Sequence, residues 1–380
     1  MRVVGAVLCL VGACGFTPNA AGTNGDDGGV VTGDGTVQHD AAVPNCFGKG
    51  MLQVCFDSLL PGTFTAPPSG TLATDTDANC TKVYTQPGGR ELCVVAAQTL
   101  DIAIDLRAIG NRPLVLIGAA TLTVESGITI DMASRDGSNA GAGGNDSACV
   151  APSVPQADTG GGGGGAGGSF FGKGGDGGIG DGNNNSGGDG TADPGLATAA
   201  VTPTIVRGGC KGGIAGGDAP GDMGKVGGNS GGAIYLIAGT HLTIAGTIDA
   251  GGAGGQASDT LQGGPGAGSG GMIGFDAPMI DFTGGAFANG GGGAEGGSNG
   301  THGDGGNAGK DGVRSSTIAA AGGSGGTTDS GHGGDGSVGT SHDGAAGAVF
   351  DGGGGGGGGG AGYLYVFGTF GTNTGQRSPS

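Results

Sequence analysis

The chain has 380 residues, of which 104 are glycine, 15 proline and 8 cysteine, with no tryptophan and a net charge of −18. That charge excludes a phosphate-binding, nucleic-acid surface, which needs Lys and Arg, and it argues against anionic lipid faces. Fifteen prolines and no strict G-x-y phase exclude a collagen triple helix, and no apolar run of about 18 residues exists to span a membrane as a helix.

Met1-Arg2 is a short positive segment, and Val3–Val11 an apolar one too short to span. Val11-Gly12-Ala13-Cys14 follows. Small residues before a cysteine resemble the lipobox of bacterial lipoproteins. The resemblance implies that residues 1–13 are a signal peptide and that Cys14 is acylated as the first mature residue, which makes the membrane a partner through a lipid anchor. Gly15, in place of the aspartate that retains such proteins at the inner membrane, points to the outer membrane. Residues 14–45 are Gly, Asp, Asn, Thr and Ala with almost no large apolar side chain, and read as a disordered tether with a reach of roughly 30 Å.

Beyond Cys9 and Cys14 six cysteines remain, an even number that fits three disulfides in an exported protein. Cys46, Cys55, Cys80 and Cys93 allow three pairings. Cys80 and Cys93 flank a turn at Gln86-Pro87-Gly88-Gly89, which suits a local pair and would leave Cys46 for Cys55. Cys149 and Cys210 bracket a glycine-rich excursion, and closing such a loop is worth about 4 kcal/mol in the chain-entropy view. No C-x-x-C pair with a nearby histidine supports zinc. Residues 46–91 read as a cysteine-rich head or cap.

From residue 92 a motif recurs: LCVVAAQTLDI at 92–102, LVLIGAATLTV at 114–124, IYLIAGTHLTI at 234–244, MIGFDAPMIDF at 272–282, and a fading copy, YLYVFGTF, at 363–370. Aligned without gaps, its third column holds Val94, Leu116, Leu236 and Gly274. Its ninth and eleventh columns hold Leu100/Ile102, Leu122/Val124, Leu242/Ile244 and Ile280/Phe282. The second half alternates apolar and polar residues, as a half-exposed strand does, and the first half is continuously apolar, as a more buried strand is. A third short strand is expected at Ile128–Asp131 and Thr247–Ala250. Motif starts are 22, 120, 38 and 91 residues apart. Twenty-two residues make about one coil of a parallel β-helix, so the expected fold is all-β: a short right-handed parallel β-helix of about five coils over residues 92–370. Long glycine-rich inserts would fall at 135–232, 256–271 and 294–362, with a flexible tail at 371–380. An antiparallel sandwich is the competing arrangement.

Residues 135–380 hold 86 of the glycines. Two readings stay open for them: mobile linkers, or a bundle of extended polyglycine-like helices packed against the coils. Lipobox, cysteine-rich head and stretches such as RPLVLIGAATLTVESGITIDMASRDG and GGNSGGAIYLIAGTHLTIAGTIDAGGAGG together resemble glycine-rich surface lipoproteins of myxobacteria. That resemblance implies location and architecture and brings no activity with it.

Chemistry is sparse. There is no G-x-S-x-G, H-E-x-x-H or P-loop signature, and Gly174–Ile179 and Gly333–Val338 fail the Ca²⁺ β-roll pattern at its aspartate. His302, His332 and His342 each lie close to an aspartate (Asp304, Asp335, Asp343), a pairing that suits metal binding or acid–base work, although a glycine scaffold positions ligands poorly. Asp131 and Asp249 end equivalent strands, and Asp101 and Asp281 share a motif column, the arrangement a polysaccharide-cleaving β-helix would need. Tyr363 and Tyr365 read as core or cap. The expectation is a lipid-anchored envelope protein with a structural, adhesive or display role, without catalysis, cofactor or resident metal. Its partners would be extracellular polysaccharide or other cell-surface components. A polysaccharide-binding or polysaccharide-cleaving protein, or a weak Ca²⁺-binding one, are the alternatives.

Overall fold

The computed structural model describes residues 45–380 except 65, 66, 68, 136–138, 182–190, 299–303 and 327–328. The expected signal peptide, Cys14 and the tether therefore lie outside the described residues, as do Cys9 and His302.

Among the described residues there is no α-helix, and the fold is all-β. The strands are β1 (Asn45–Phe47), β2 (Val54–Phe56), β3 (Thr71–Ala73), β4 (Lys82–Thr85), β5 (Glu91–Ile102), β6 (Leu106–Ile109), β7 (Leu114–Val124), β8 (Thr129–Asp131), β9 (Ala233–Ala238), β10 (His241–Ile244), β11 (Thr247–Asp249), β12 (Met272–Phe282), β13 (Gly285–Phe287), β14 (Tyr363–Asn373) and β15 (Gln376–Ser378). One sheet runs β4-β5-β7, then β9 and β10, then β12-β14; the other runs β3-β6-β8-β11-β13-β15. Pairing in both is parallel except where β4 lies antiparallel on β5, and the β1–β2 hairpin is a separate antiparallel pair.

The repeated motif supplies the first sheet. Its alternating half pairs as aligned: Leu100 opposes Leu122, Leu122 opposes Leu242, and Leu242 opposes Ile280. Its first half does not follow the gapless alignment throughout. Val94 opposes Val115 rather than Leu116, and Gly274 opposes Tyr235 rather than Leu236. The cause is a bulge at the bend between the halves, with register shifts at Ala97/Thr99 and at Asp276/Met279. One extra residue on one strand displaces everything before it by one position.

Two apolar clusters explain the composition of the motif. Leu100, Leu122, Leu242, Ile280 and their neighbours pack against Leu106, Ile130, Ile248 and Ala286 of the second sheet. The first half is buried on its other face as well: Val94, Val115, Ile117, Tyr235 and Met272 lie under Leu52, Val54 and Phe56 of the N-terminal hairpin and under Phe170 and Val206. Burial on both faces is why that half is continuously apolar.

Over their described residues the glycine-rich inserts are extended segments hydrogen-bonded to one another, so the bundle reading holds there and the linker reading does not. Gly352–Ala361 is wholly buried and bonded on every side. Gly355, Gly358 and Ala361 donate to Ala348, Ala345 and His342. Gly353, Gly356 and Gly359 donate to Gly297, Ala294 and Gly291; Gly354, Gly357 and Gly360 donate to Gly162, Gly165 and Gly168, all within 2.8–3.0 Å. The carbonyls of the same triplets accept from Gly178, Gly175 and Gly172, from Gly331, Gly334 and Ser337, and from Gly264, Ala267 and Gly270. A repeat of three residues is that of a polyproline-II helix, which has no internal hydrogen bonds and must find partners outside itself. Here six extended segments surround a central one. Peripheral segments keep their larger side chains on outward positions in places, as at Lys173, Asp176 and Ile179, all half-buried between buried glycines.

The bundle continues the sheets. Gly228 and Gly231 donate to Gly266 and Ser269, and Gly270 to Gly360, just before β9, β12 and β14 begin. The last ten residues are not a free tail: β14 runs to Asn373, and β15 pairs with β13, its Arg377 lying over the Phe282 and Phe370 rings at 5.9 and 5.3 Å. The expected head is also partly sheet, since β3 and β4 each join one.

A Cβ on Gly355 or Gly357 would sit 2.0 Å from the carbonyl oxygen of His332 or Gly175. Gly355→Ala and Gly357→Ala are therefore expected to destabilise by about 1–3 kcal/mol or more, whereas Ile179→Ala, on an outward position, should stay within about 0.5 kcal/mol. Thermal or denaturant unfolding followed by far-UV circular dichroism measures both.

Candidate functional site

The second sheet sets Asp131 beside Asp249, because β8 and β11 pair in register, with Arg107 opposite Asp131 on β6. Arg107 Nη1 lies 2.9 Å from Asp131 Oδ1, and Arg135 Nη1 2.8 Å from Asp131 Oδ2. Arg314 Nε donates to Asp249 Oδ2 at 2.7 Å, Arg135 Nη2 stands 3.6 Å from the same oxygen, and Gly251 N donates to Asp249 Oδ1. The expected carboxylate pair is therefore real as a juxtaposition, but Arg107 of β6 and the loop residues Arg135 and Arg314 saturate it. Burial raises the Asp249 carboxyl above its ordinary value, against the pull of Arg314 and of Gly251 N–H. The arrangement clamps residues 133–135 and 313–315 onto the sheet, and both carboxylates already hold cations, so neither is placed as a free base.

Asp101 and Asp281 share a row on the outer face of the first sheet, separated by Thr123 and Thr243. Asp281 is joined to His241 Nε2 at 2.8 Å. Its carboxyl lies below its ordinary value, first through a hydrogen bond from Thr372 and then through His241. The His241–Asp281 pair escaped the sequence reading, although both residues lie in the repeat on adjoining strands.

Of the histidines of the last insert, His332 and His342 are described, and they have different partners. His332 Nδ1 is 3.6 Å from Oε1 of the fully buried Glu295, while Asp335 accepts from Gly322 N. His342 packs against Phe171 with ring centroids 5.2 Å apart, while Asp343 accepts from Lys173 N. Among the described residues no group of three His, Cys, Asp or Glu side chains could hold a metal ion.

The disulfides are Cys46–Cys55, Cys80–Cys93 and Cys149–Cys210. Cys46 opposes Cys55 across the β1–β2 hairpin, and Cys80–Cys93 ties the segment before β4 to β5. Beside Cys149–Cys210 the buried Asp146 carboxylate contacts Arg90 and lies 3.5 Å from Arg207, whose guanidinium sits 4.8 Å over the Phe170 ring. Burial lowers both guanidinium groups, and Arg207 lowers Arg90 further. This network borders a cavity of about 610 Å³ lined by Arg90, Glu91 and Arg112. Arg112 bridges Glu91 and Asp77, so the charges there are also internally matched. Tyr365 stacks on Tyr235 at 6.0 Å, and Tyr363 packs tilted against Phe171 at 5.1 Å, both at the end of the first sheet.

No protein family matches the chain, and neither does any curated protein or solved structure.

The Asp249 carboxyl is raised above its unfolded value near 3.9, so the protonated form is favoured by folding. Its contribution is complete below about pH 4 and is lost as pH climbs through the raised value. Asp249→Asn should therefore gain stability relative to the unsubstituted protein as pH rises from about 4 towards neutrality. Melting temperatures of the two proteins across that window measure this, and parallel curves would refute it.

Proposed function

We propose that this chain is an exported, lipid-anchored envelope protein whose folded part is a rigid display module. The observation that carries the reading is that all six cysteines beyond Cys14 are paired, as suits an oxidising compartment outside the cytoplasm. The lipobox-like Val11-Gly12-Ala13-Cys14 supplies the anchor, and residues 14–45 supply the tether. Gly15 favours the outer membrane.

In this reading the two sheets are the walls of a short right-handed parallel β-helix of about five coils. Three features support it: parallel pairing of β5, β7, β9, β12 and β14, matching parallel pairing of β6, β8, β11, β13 and β15, and a 22-residue first repeat. The glycine bundle then widens each coil into a stiff slab. A net charge of −18 keeps such a slab soluble at high surface density. The role is structural or adhesive, with no catalytic step.

The anchor is tested by Cys14→Ser. The unsubstituted protein should fractionate with the outer membrane and carry acyl mass on its N-terminal peptide, and the variant should be released to the soluble fraction. Added protease should cleave an epitope-tagged chain on intact cells if display is outward. Membrane association that survives Cys14→Ser would contradict the anchor, and protection until lysis would contradict outward display.

A further inference from the structure

A cavity of about 500 Å³ lies where the long strands of the first sheet bend, between that bend and the N-terminal hairpin. Its floor is made by small residues stacked from one strand to the next: Ala119, Gly239, Ala277 and Gly368. They are small of necessity. A Cβ on Gly239 would meet the Ala119 carbonyl oxygen at 1.9 Å, and one on Gly368 would meet that of Ala277 at 1.8 Å. With neighbouring strands about 4.8 Å apart, four such strands give a trough about 14 Å long. Its volume is in the range of small-molecule sites.

The walls carry what the floor lacks. Phe47 and Phe367 present aromatic rings, and Phe367 is 41% exposed. Lys49 and Gln53, both exposed, stand at the rim. Asp276 is only 3% exposed, yet it is among the residues that line the cavity. Its Oδ2 accepts from Lys49 N at 2.9 Å, Gly50 N at 2.7 Å and the Tyr235 hydroxyl at 3.3 Å. All three donors reach one oxygen, which leaves Oδ1 as an acceptor for a ligand. The same bonds fix the hairpin wall over the sheet, so the trough is preformed rather than assembled on binding. Burial, and then the Asp276 carboxylate, hold the Tyr235 phenol well above its ordinary value, so it stays a hydrogen-bond donor.

We propose that this trough binds an uncharged linear glycan. Sugar rings offer an apolar face for Phe47 and Phe367 and a hydroxyl edge for Asp276 Oδ1, the Gln53 amide and the Lys49 ammonium. One carboxylate and one ammonium leave the lining without net charge, and the chain's surplus of acidic residues disfavours polyanions. A peptide adding as a strand would pair along the open edge of β14, beside the floor rather than over it, whereas a ligand in the trough lies across β7, β12 and β14. The site is separate from Asp131 and Asp249, and it goes beyond the anchoring and display reading: anchoring can hold while glycan binding fails.

The test uses the full chain, purified in detergent, and hexamers of β-1,4-linked glucose, mannose, xylose and N-acetylglucosamine, with α-1,4-glucan and polygalacturonate beside them. Calorimetric titration should detect at least one neutral hexamer and weaker or absent binding of polygalacturonate. Phe367→Ala and Gln53→Ala should each weaken the bound hexamer, the first by at least about tenfold, with melting temperature unchanged. Ile318→Ala, on a remote exposed position, should leave affinity unchanged. Failure of every neutral hexamer to bind, preference for polygalacturonate, or binding indifferent to both trough substitutions would overturn the proposal.

Discussion

Everything in this structure depends on how a chain without side chains satisfies its backbone. A buried N–H or C=O must be paired, and an extended three-fold segment offers no partner within itself. The solution is lateral: each of its three rows donates to one neighbour and accepts from another. Gly352–Ala361 shows the arrangement complete, with donors to residues 342–348, 291–297 and 162–168 and acceptors serving residues 172–181, 331–337 and 264–270. Such packing requires backbones to approach to within a Cβ's reach of one another, so positions 353–360 have no room for a side chain. Glycine's conformational entropy cost is high, and a dense lattice of hydrogen bonds is what offsets it.

The sheets and the bundle are one construction. Residues 228–232, 266–271 and 357–362 lead straight into β9, β12 and β14, and the bundle's bonds prolong the parallel ladders of those strands. The apolar clusters fix the register of the sheets, and that register then fixes which glycine meets which carbonyl. Disulfides and ion pairs tie the hairpin and the loops to this frame. Cys46–Cys55 holds the hairpin that covers the first sheet, Cys149–Cys210 closes the first large insert, and Arg135 and Arg314 clamp loops to Asp131 and Asp249. The buried Asp276 has a double place, joining hairpin to sheet and lining the trough beside it.

Legibility in the sequence followed physical range. Strand periodicity is local, so the repeated motif and its buried first half could be read directly, and Leu100, Leu122, Leu242 and Ile280 align as they pair. The one-residue displacement of Val94 and Gly274 could not be read, because a bulge inserts a residue without changing the apolar pattern around it. β15 was missed because Gln376-Arg377-Ser378 has no strand signature of its own; β13 and the rings of Phe282 and Phe370 hold it. The bundle had a usable signal in the three-residue spacing of Lys173, Asp176 and Ile179, set against the unbroken run Gly352–Gly360, which marks a segment enclosed on every side. The trough had none, since Phe47, Asp276 and Phe367 are brought together from the hairpin and two separate strands.

The central claim is that the longest glycine run is the most enclosed part of the bundle rather than a flexible link. Amide hydrogen exchange resolved across residues 352–361 tests it directly. The account predicts that these amides exchange only through global unfolding, as slowly as those of β7 and β12. Exchange at the rate of an unstructured glycine chain would contradict it.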